Sequence, residues 1–145
     1  MTQDVAILAG IAVLVVLVVI FFKVRQKDLI GAMIQKRQAD AKLVSRADYM
    51  EGMEKIPVAL SLTADTLYYE NPDLEASFEL SRIDEVEYDD ELATGRMLDH
   101  DRRVMRLRSH GTAFEFVLEK PETQKWMAAL PPRTTTTGAP TAHAV

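Results

Sequence analysis

Residues 5–22 form an unbroken apolar run that holds no charged residue and no side-chain amide. As a helix the run would be about 27 Å long, close to the hydrocarbon thickness of a bilayer. It is apolar on every face, which argues against a helix packed on a soluble core. The rest of the chain is too polar to enter a membrane, so we expect a single-pass transmembrane helix.

A cleaved signal peptide is the rival interpretation of this run. Signal peptides have a basic n-region, a shorter apolar core and a small-x-small cleavage site. Here the n-region carries Asp4 and no base, and the run ends in Phe21 and Phe22, followed by Lys23. These features favour an anchor.

Basic residues lie on one side of the run only. Residues 1–4 contain no Lys or Arg, whereas the segment after the run carries Lys23, Arg25, Lys27, Lys36, Arg37, Lys42 and Arg46. Basic flanks are retained on the cytoplasmic side of a membrane. We therefore expect residues 1–4 outside the cell (plasma or inner) membrane, a span at 5–22, and the remaining chain in the cytoplasm.

Residues 23–49 are predicted to form a basic juxtamembrane helix and linker, helical to about Val44. Leu29, Ile30, Met33 and Ile34 share one helix face. Three interpretations stay open. The helix extends the anchor and packs on its own domain; it lies in the membrane interface; or it joins a dimer seam, for which Ala6 and Gly10 have suitable spacing. In the second case the candidate lipid-headgroup contacts are Lys23, Arg25, Lys27, Lys36 and Arg37.

After Ile56 the apolar period changes from helical to two, which predicts a meander of about six or seven short strands. The strands fall at residues 57–62, 66–70, 76–80, 85–89, 102–108 and 113–118, with a loop at 91–95 and a further short strand at 96–99. If residues 110–111 are the turn of the last hairpin, facing residues match by type. The matched pairs are Leu107 with Phe114, Met105 with Phe116, and Arg106 with Glu115.

One amphipathic helix follows the strands. Pro121 suits its first turn, and Trp126 lies on its apolar face with Met127 and Leu130. Trp126, Phe114, Phe116, Leu107 and Met105 are therefore predicted to be structural core residues. The tail at 131–145 has too little apolar content to fold and is predicted to be disordered.

The order of a strand meander and one helix with a central Trp resembles the pleckstrin-homology-like superfold, in its bacterial and GRAM-like versions. The residues that carry the resemblance are LSLTADTLYY at 60–69, LSRIDEV at 80–86 and FVLEKPETQKWMAAL at 116–130. The resemblance covers residues 50–130. It implies a bent antiparallel sheet or barrel, with the helix closing one open end and Trp126 in the core.

Phosphoinositide-binding members of that superfold carry bases around their first hairpin loop. Here that loop is predicted at Thr63-Ala64-Asp65, with no base near it. The sequence therefore departs from the lipid-binding pattern, and that function is not carried over.

The residues offer little support for catalysis or cofactor binding. The chain has no cysteine, which excludes disulfides and thiolate metal sites. The groups Asp99-His100-Asp101 and Asp89-Asp90-Glu91 are read as solvated turns rather than metal sites. No phosphate-binding Gly-rich loop is present. We expect no metal, no cofactor and no small-molecule substrate, and the acidic stretch at 70–101 argues against nucleic acid.

The function predicted from these features is a non-catalytic, membrane-tethered interaction or adaptor module. It would present a pleckstrin-homology-like domain at the cytoplasmic membrane face to an unidentified protein partner or to a second copy of itself. The alternative is a sensor of anionic lipid or of the membrane surface that acts through the basic segment. An uncharacterised enzyme is the third hypothesis.

Overall fold

The structure is a computed structural model that describes residues 2–134, without the side chains of residues 26–28. Its elements, in chain order, are α1 (Thr2–Gln38), β1 (Leu43–Glu51), β2 (Glu54–Leu62), β3 (Thr66–Asn71), β4 (Leu74–Glu79), a 3-10 turn (Leu80–Arg82), β5 (Glu85–Asp89), β6 (Arg102–Ser109), β7 (Thr112–Glu119), α2 (Lys120–Ala129) and β8 (Arg133–Thr134). The strands form one antiparallel sheet in the order β4-β3-β2-β1-β7-β6-β5-β8. The protein is therefore a mainly β domain with an apolar N-terminal helix.

Helix α1 runs without a break for 37 residues, which corresponds to about 55 Å. Its most apolar stretch of 18 residues has no buried residue. A helix from the interior of a soluble protein would bury such side chains. Helix α1 is thus long and apolar enough to cross a membrane, as the sequence predicts.

The hairpin of β6 and β7 has the register that the sequence predicts. Its facing pairs include Leu107–Phe114, Met105–Phe116 and Arg106–Glu115. At the turn, His110 has a φ of 51° and Gly111 a φ of 78°. Two successive positive φ angles are typical of a type I′ turn, whose twist matches that of the flanking strands.

Strand β1 corrects the prediction for residues 23–49, because the helix ends at Gln38 and the sheet begins at Leu43, before residue 50. The alternation of β1 is hard to see in the sequence since two of its core-facing residues are small. Ser45 and Ala47 are 4% and 3% exposed. Their size leaves room for the indole of Trp126, which hydrogen-bonds Ser45.

The position of β1 also corrects the numbering of the hairpins. The first hairpin turns at residues 52–53, and the loop at Thr63-Ala64-Asp65 belongs to the second, between β2 and β3. The first hairpin carries Lys55, with Glu51 and Glu54 beside it. The short strand predicted at 96–99 is reduced to a single bridge between Glu91 and Met97.

The core lies between the inner face of the sheet and helix α2. Pro121 occupies the first turn of α2, and the N–H of Leu130 closes its last turn on the carbonyl of Trp126 at 2.7 Å. Trp126 and Phe116 are the largest side chains with no exposed surface. Met105 and Leu107 are also fully buried, and Phe114 is partly buried against the same core.

The chain after α2 returns to the far edge of the sheet. Arg133 and Thr134 pair with Val86 and Glu85 of β5. The Arg133 guanidinium donates to the carbonyls of Leu80 and Ile83, both at 2.7 Å. Residues 133–134 of the predicted disordered tail are therefore a short strand, and residues 135–145 lie outside the described part of the chain.

Candidate functional site

The last third of α1 packs on the outer face of β1, β2 and β3. Ile30 is 3% exposed, and Met33 and Ile34 are half-buried. Ala59 and Ser61 point away from the core, yet they are only 2% and 1% exposed because α1 covers β2. Their small side chains let the helix backbone approach the sheet closely.

An ion pair fixes the end of α1 on this face. Arg37 donates to Glu70 of β3, and its guanidinium carbon lies 4.4 Å from the ring centroid of Tyr68. Glu70 is 8% exposed, so its carboxylate depends on Arg37 for a charged partner. We call Ala59, Ser61, Tyr68 and Glu70 the α1 docking face.

The five candidate headgroup contacts are divided between two places. Lys23 and Arg25 are exposed immediately after the apolar run, and the Arg25 guanidinium lies 6.0 Å from the Phe21 ring centroid. Lys36 and Arg37 lie about 20 Å further along the helix. Lys36 is exposed, Arg37 is held by Glu70, and the side chain of Lys27 lies outside the described part.

Arg106 is the centre of a charge network on β5, β6 and β7. Its guanidinium pairs with Glu87 at 3.1 Å, Asp89 at 3.5 Å and Glu115 at 3.0 Å, and it donates to the carbonyl of Glu91 at 2.8 Å. Burial alone would lower the pKa of Arg106, but the hydrogen bonds that its guanidinium donates to Glu115 and Glu87 outweigh burial and raise the pKa. The guanidinium is therefore a permanent structural cation.

The acidic stretch at 70–101 is partly neutralised in the folded chain. Besides Arg106, Arg103 pairs with Asp90 and Arg108 with Glu85, both at 3.3 Å. Glu70, the first acid of the stretch, is covered by α1. On the outer face of β5 and β6, the pairs of Arg106 and Arg108 with acidic side chains therefore interrupt the acidic surface, while Arg103 and Asp90 pair on the opposite face.

A second polar network joins β1 to α2. The Trp126 indole N–H donates to the Ser45 hydroxyl at 2.9 Å, and that hydroxyl donates to Glu122. Lys125 also donates to Glu122, at 3.0 Å. The hydrogen bond from Ser45 holds the pKa of Glu122 below its ordinary value, with a further contribution from Lys125.

A cleft of about 410 Å³ lies beside this network, between α1, β1, β7 and α2. Its lining combines apolar side chains such as Ile34 and Val117 with charged ones. Within it, Arg102 pairs with Asp48 at 3.3 Å. The cleft therefore has the character of a polar seam between packed elements.

The two acidic groups considered as metal sites, Asp89-Asp90-Glu91 and Asp99-His100-Asp101, lie at the end of β5 and in the segment before β6. Asp89 accepts the backbone N–H of Asp90 at 2.7 Å, and this hydrogen bond is the main reason that its pKa is lowered. His100 is exposed in a turn beside Asp101. Over residues 2–134, no three His, Asp or Glu side chains come together in an arrangement that could hold a metal ion.

Sequence reasoning left packing of the helix on its own domain open as one of three interpretations, and the structure shows that packing; the α1 docking face that receives the helix was not predicted. The available signal was the pair of small residues, Ala59 and Ser61, on the outward side of a strand whose inward side is Val58, Leu60 and Leu62. An exposed strand face normally carries larger polar side chains, whereas small ones permit close packing of another element.

Comparison with known proteins gives a likeness of fold. No protein-family model and no curated protein matches the chain. The structure is similar to the crystal structure of the C-terminal domain of an unknown protein from Leishmania infantum, with a TM-score of 0.50 and 11% sequence identity. The match covers 68% of this chain and 92% of that one. The chain thus belongs to the class of mainly β domains, here joined to an apolar N-terminal helix.

Proposed function

We propose that this chain is a non-catalytic, membrane-tethered interaction module that holds a pleckstrin-homology-like domain at the cytoplasmic face of a cell membrane. The observation that carries the proposal is the continuity of α1. One helix supplies an exposed apolar segment of membrane-spanning length and then packs on the outer face of the sheet. A domain mounted in this way would keep a fixed height and orientation beside the bilayer.

The pleckstrin-homology-like part of the proposal is supported by the arrangement of the core. The sheet order places β5 and β4 towards opposite edges, and α2 follows the last long strand. The central Trp126 of α2 is fully buried. These features support the proposal of a pleckstrin-homology-like arrangement, in which one C-terminal helix would close a bent sheet.

The cytoplasmic orientation is supported by charge. Lys23 and Arg25 are exposed at one end of the apolar run, and no base lies among residues 2–4 at the other. Retention of basic flanks in the cytoplasm would leave the domain inside the cell.

The interaction role is tested by cross-linking in intact cells, followed by purification of the tagged full chain from its own membranes. The matched control is Trp126→Asp, which keeps the anchor but places a carboxylate in the core. An adaptor is expected to yield protein adducts that the control loses. Identical adducts from the two chains would contradict the proposal.

The alternative function is a sensor of anionic lipid, which is favoured by the exposed Lys23 and Arg25 beside the apolar run. It predicts that hydrogen exchange in the domain changes when the full chain is moved from zwitterionic to anionic nanodiscs. The double variant Lys23→Gln/Arg25→Gln would abolish that change. An adaptor would show the same exchange in both lipids.

A further inference from the structure

Two exposed methionines stand out on the surface of the β domain. Met53 is 84% exposed and Met97 is 64% exposed, and among the described residues they are the only strongly exposed large apolar side chains outside α1. Met53 lies in the turn between β1 and β2. Met97 lines a cleft with Lys55, two residues after Met53. We call Met53 and Met97 the methionine tip.

Contacts of Arg37 show which part of β1 lies beside the end of α1. Arg37 contacts Tyr68 and Glu70 of β3. Tyr68 faces Ser61 of β2, which in turn faces Val44 of β1. Glu70 likewise faces Ala59, which faces Arg46. The end of α1 therefore lies near the start of β1.

The chain reverses direction between α1 and β1, because only residues 39–42 join them and the last third of α1 packs on the sheet that β1 enters. Met33 lines a cleft with residues 70–75, at the end of β3 and the start of β4. Ile34 lines a cleft that extends along β1 to Asp48. Helix α1 and strand β1 therefore run antiparallel, and the far end of β1 points back along α1 towards the apolar run.

The lengths of the two segments agree. From Arg37 back to Phe22, where the apolar run ends, the helix covers roughly 22 Å. From Arg46 to Glu51, where β1 ends, the strand covers roughly 17 Å, and the turn that holds Met53 extends further in the same direction. When α1 spans a bilayer, the methionine tip thus comes level with the end of the apolar run, at the boundary between acyl chains and headgroups.

We propose that the methionine tip is a second membrane contact, in which Met53 enters the bilayer interface and Met97 rests against it. The partner of the methionine tip is lipid, because the anchor of the same chain holds the tip at the membrane interface. Methionine side chains are flexible and apolar, which suits an irregular lipid surface. Glu51 and Glu54 flank Met53, while Lys55 and Arg96 lie close to Met97, so the contact is apolar and does not require anionic lipid.

This inference rests on the proposed membrane anchor, and one experiment separates the two. The chain contains no cysteine, so single cysteines carry an environment-sensitive NBD fluorophore without further substitutions. Three full-length variants are reconstituted in phosphatidylcholine vesicles: Met53→Cys at the tip, Leu14→Cys in the apolar run, and Ala64→Cys as the matched control. Ala64 is exposed in the turn at the opposite end of β2.

The expected result is that shallow spin-labelled lipids quench the fluorophore at 53, deeper ones quench it at 14, and only aqueous iodide quenches it at 64. Changing Met97 to Asp should reduce lipid quenching at 53 at least twofold. Lipid quenching at 14 with iodide quenching at 53 equal to that at 64 would overturn the tip contact and leave the anchor intact. Iodide quenching at 14 would overturn the anchor, and with it the tip contact. A fluorophore at 53 shielded from both quenchers would indicate contact with a second copy and would also overturn the inference.

Discussion

The indole N–H of Trp126 donates to the hydroxyl of Ser45 at 2.9 Å, which joins the middle of α2 to the beginning of the sheet across 81 residues of sequence. Trp126 has no exposed surface and Ser45 is 4% exposed, so water cannot replace either partner. This hydrogen bond lies at the side of the core where the chain passes from α1 into β1.

Replacing Ser45 by Ala tests this link. This substitution leaves the buried Trp126 N–H without an acceptor, and we expect the free energy of unfolding to fall by about 1–3 kcal/mol. Trp126 is the only tryptophan, so its fluorescence in urea titrations of the full chain in detergent measures the effect. Ser77→Ala on the exposed side of β4 is the control, and equal stabilities of the two variants would contradict the role of Ser45.

Glu122 makes stability depend on pH. Its pKa is lowered in the folded chain from an ordinary value of 4.5, mainly by the Ser45 hydroxyl. The stabilisation is therefore present above 4.5 and is lost as pH falls through the folded-state pKa. We expect Glu122→Gln to have a lower free energy of unfolding than the parent chain at pH 7. The difference between the two should narrow below pH 4.5.

The measurement for Glu122 is the urea midpoint at several pH values. Glu75→Gln, on the exposed face of β4, should change the midpoint little at any pH. If the urea midpoints of Glu122→Gln and the parent chain differ by the same amount from neutral to acid pH, the Glu122 carboxylate has no role in the pH dependence.

Arg106 and Arg108 form a matched pair on β6. Arg106→Met leaves Glu115, whose side chain is 13% exposed, without its cation, and we expect a loss of about 3 kcal/mol. Arg108 and Glu85 are much more exposed, so Arg108→Met should cost less than about 1 kcal/mol. Thermal unfolding followed by circular dichroism compares the two, and similar losses would argue against a structural Arg106 network.

Arg37 and Lys36 test the docking of α1. Arg37→Met leaves the buried Glu70 unpaired and should weaken docking by about 1–3 kcal/mol. Hydrogen exchange at residues 29–38 of the full chain in nanodiscs should therefore become faster. Lys36→Met removes an exposed neighbouring base and should leave exchange nearly unchanged. If both variants exchange like the parent chain, α1 is not held by Glu70.

The elements with strong alternation or clear turn chemistry could be predicted from the sequence. The hairpin of β6 and β7 is the clearest case, because apolar and charged pairs match only in one register and residues 110–111 accept positive φ angles. The burial of Trp126 follows similarly from the helix period after Pro121.

The elements that were missed depend on small side chains and on packing outside the main core. β1 carries Ser45 and Ala47 where an ordinary strand would show large apolar residues. On the outer face of the sheet, the loop after β5 covers a second apolar cluster in which Leu92 packs with Met50, Val104 and Val117. The periodicity of a single segment does not show that this loop covers the second cluster or that α1 covers the docking face. Each contact depends on a surface formed by residues far away in the sequence.

The accessibility of single cysteines in intact cells tests whether α1 spans the membrane and leaves the β domain in the cytoplasm. Gln3→Cys and Ala64→Cys place one thiol before the apolar run and one in the β domain of an otherwise cysteine-free chain. A membrane-impermeant maleimide should label position 3 in intact cells and position 64 only after lysis. Labelling of position 64 from outside, or protection of both positions until lysis, would contradict a domain held at the cytoplasmic face by a spanning α1.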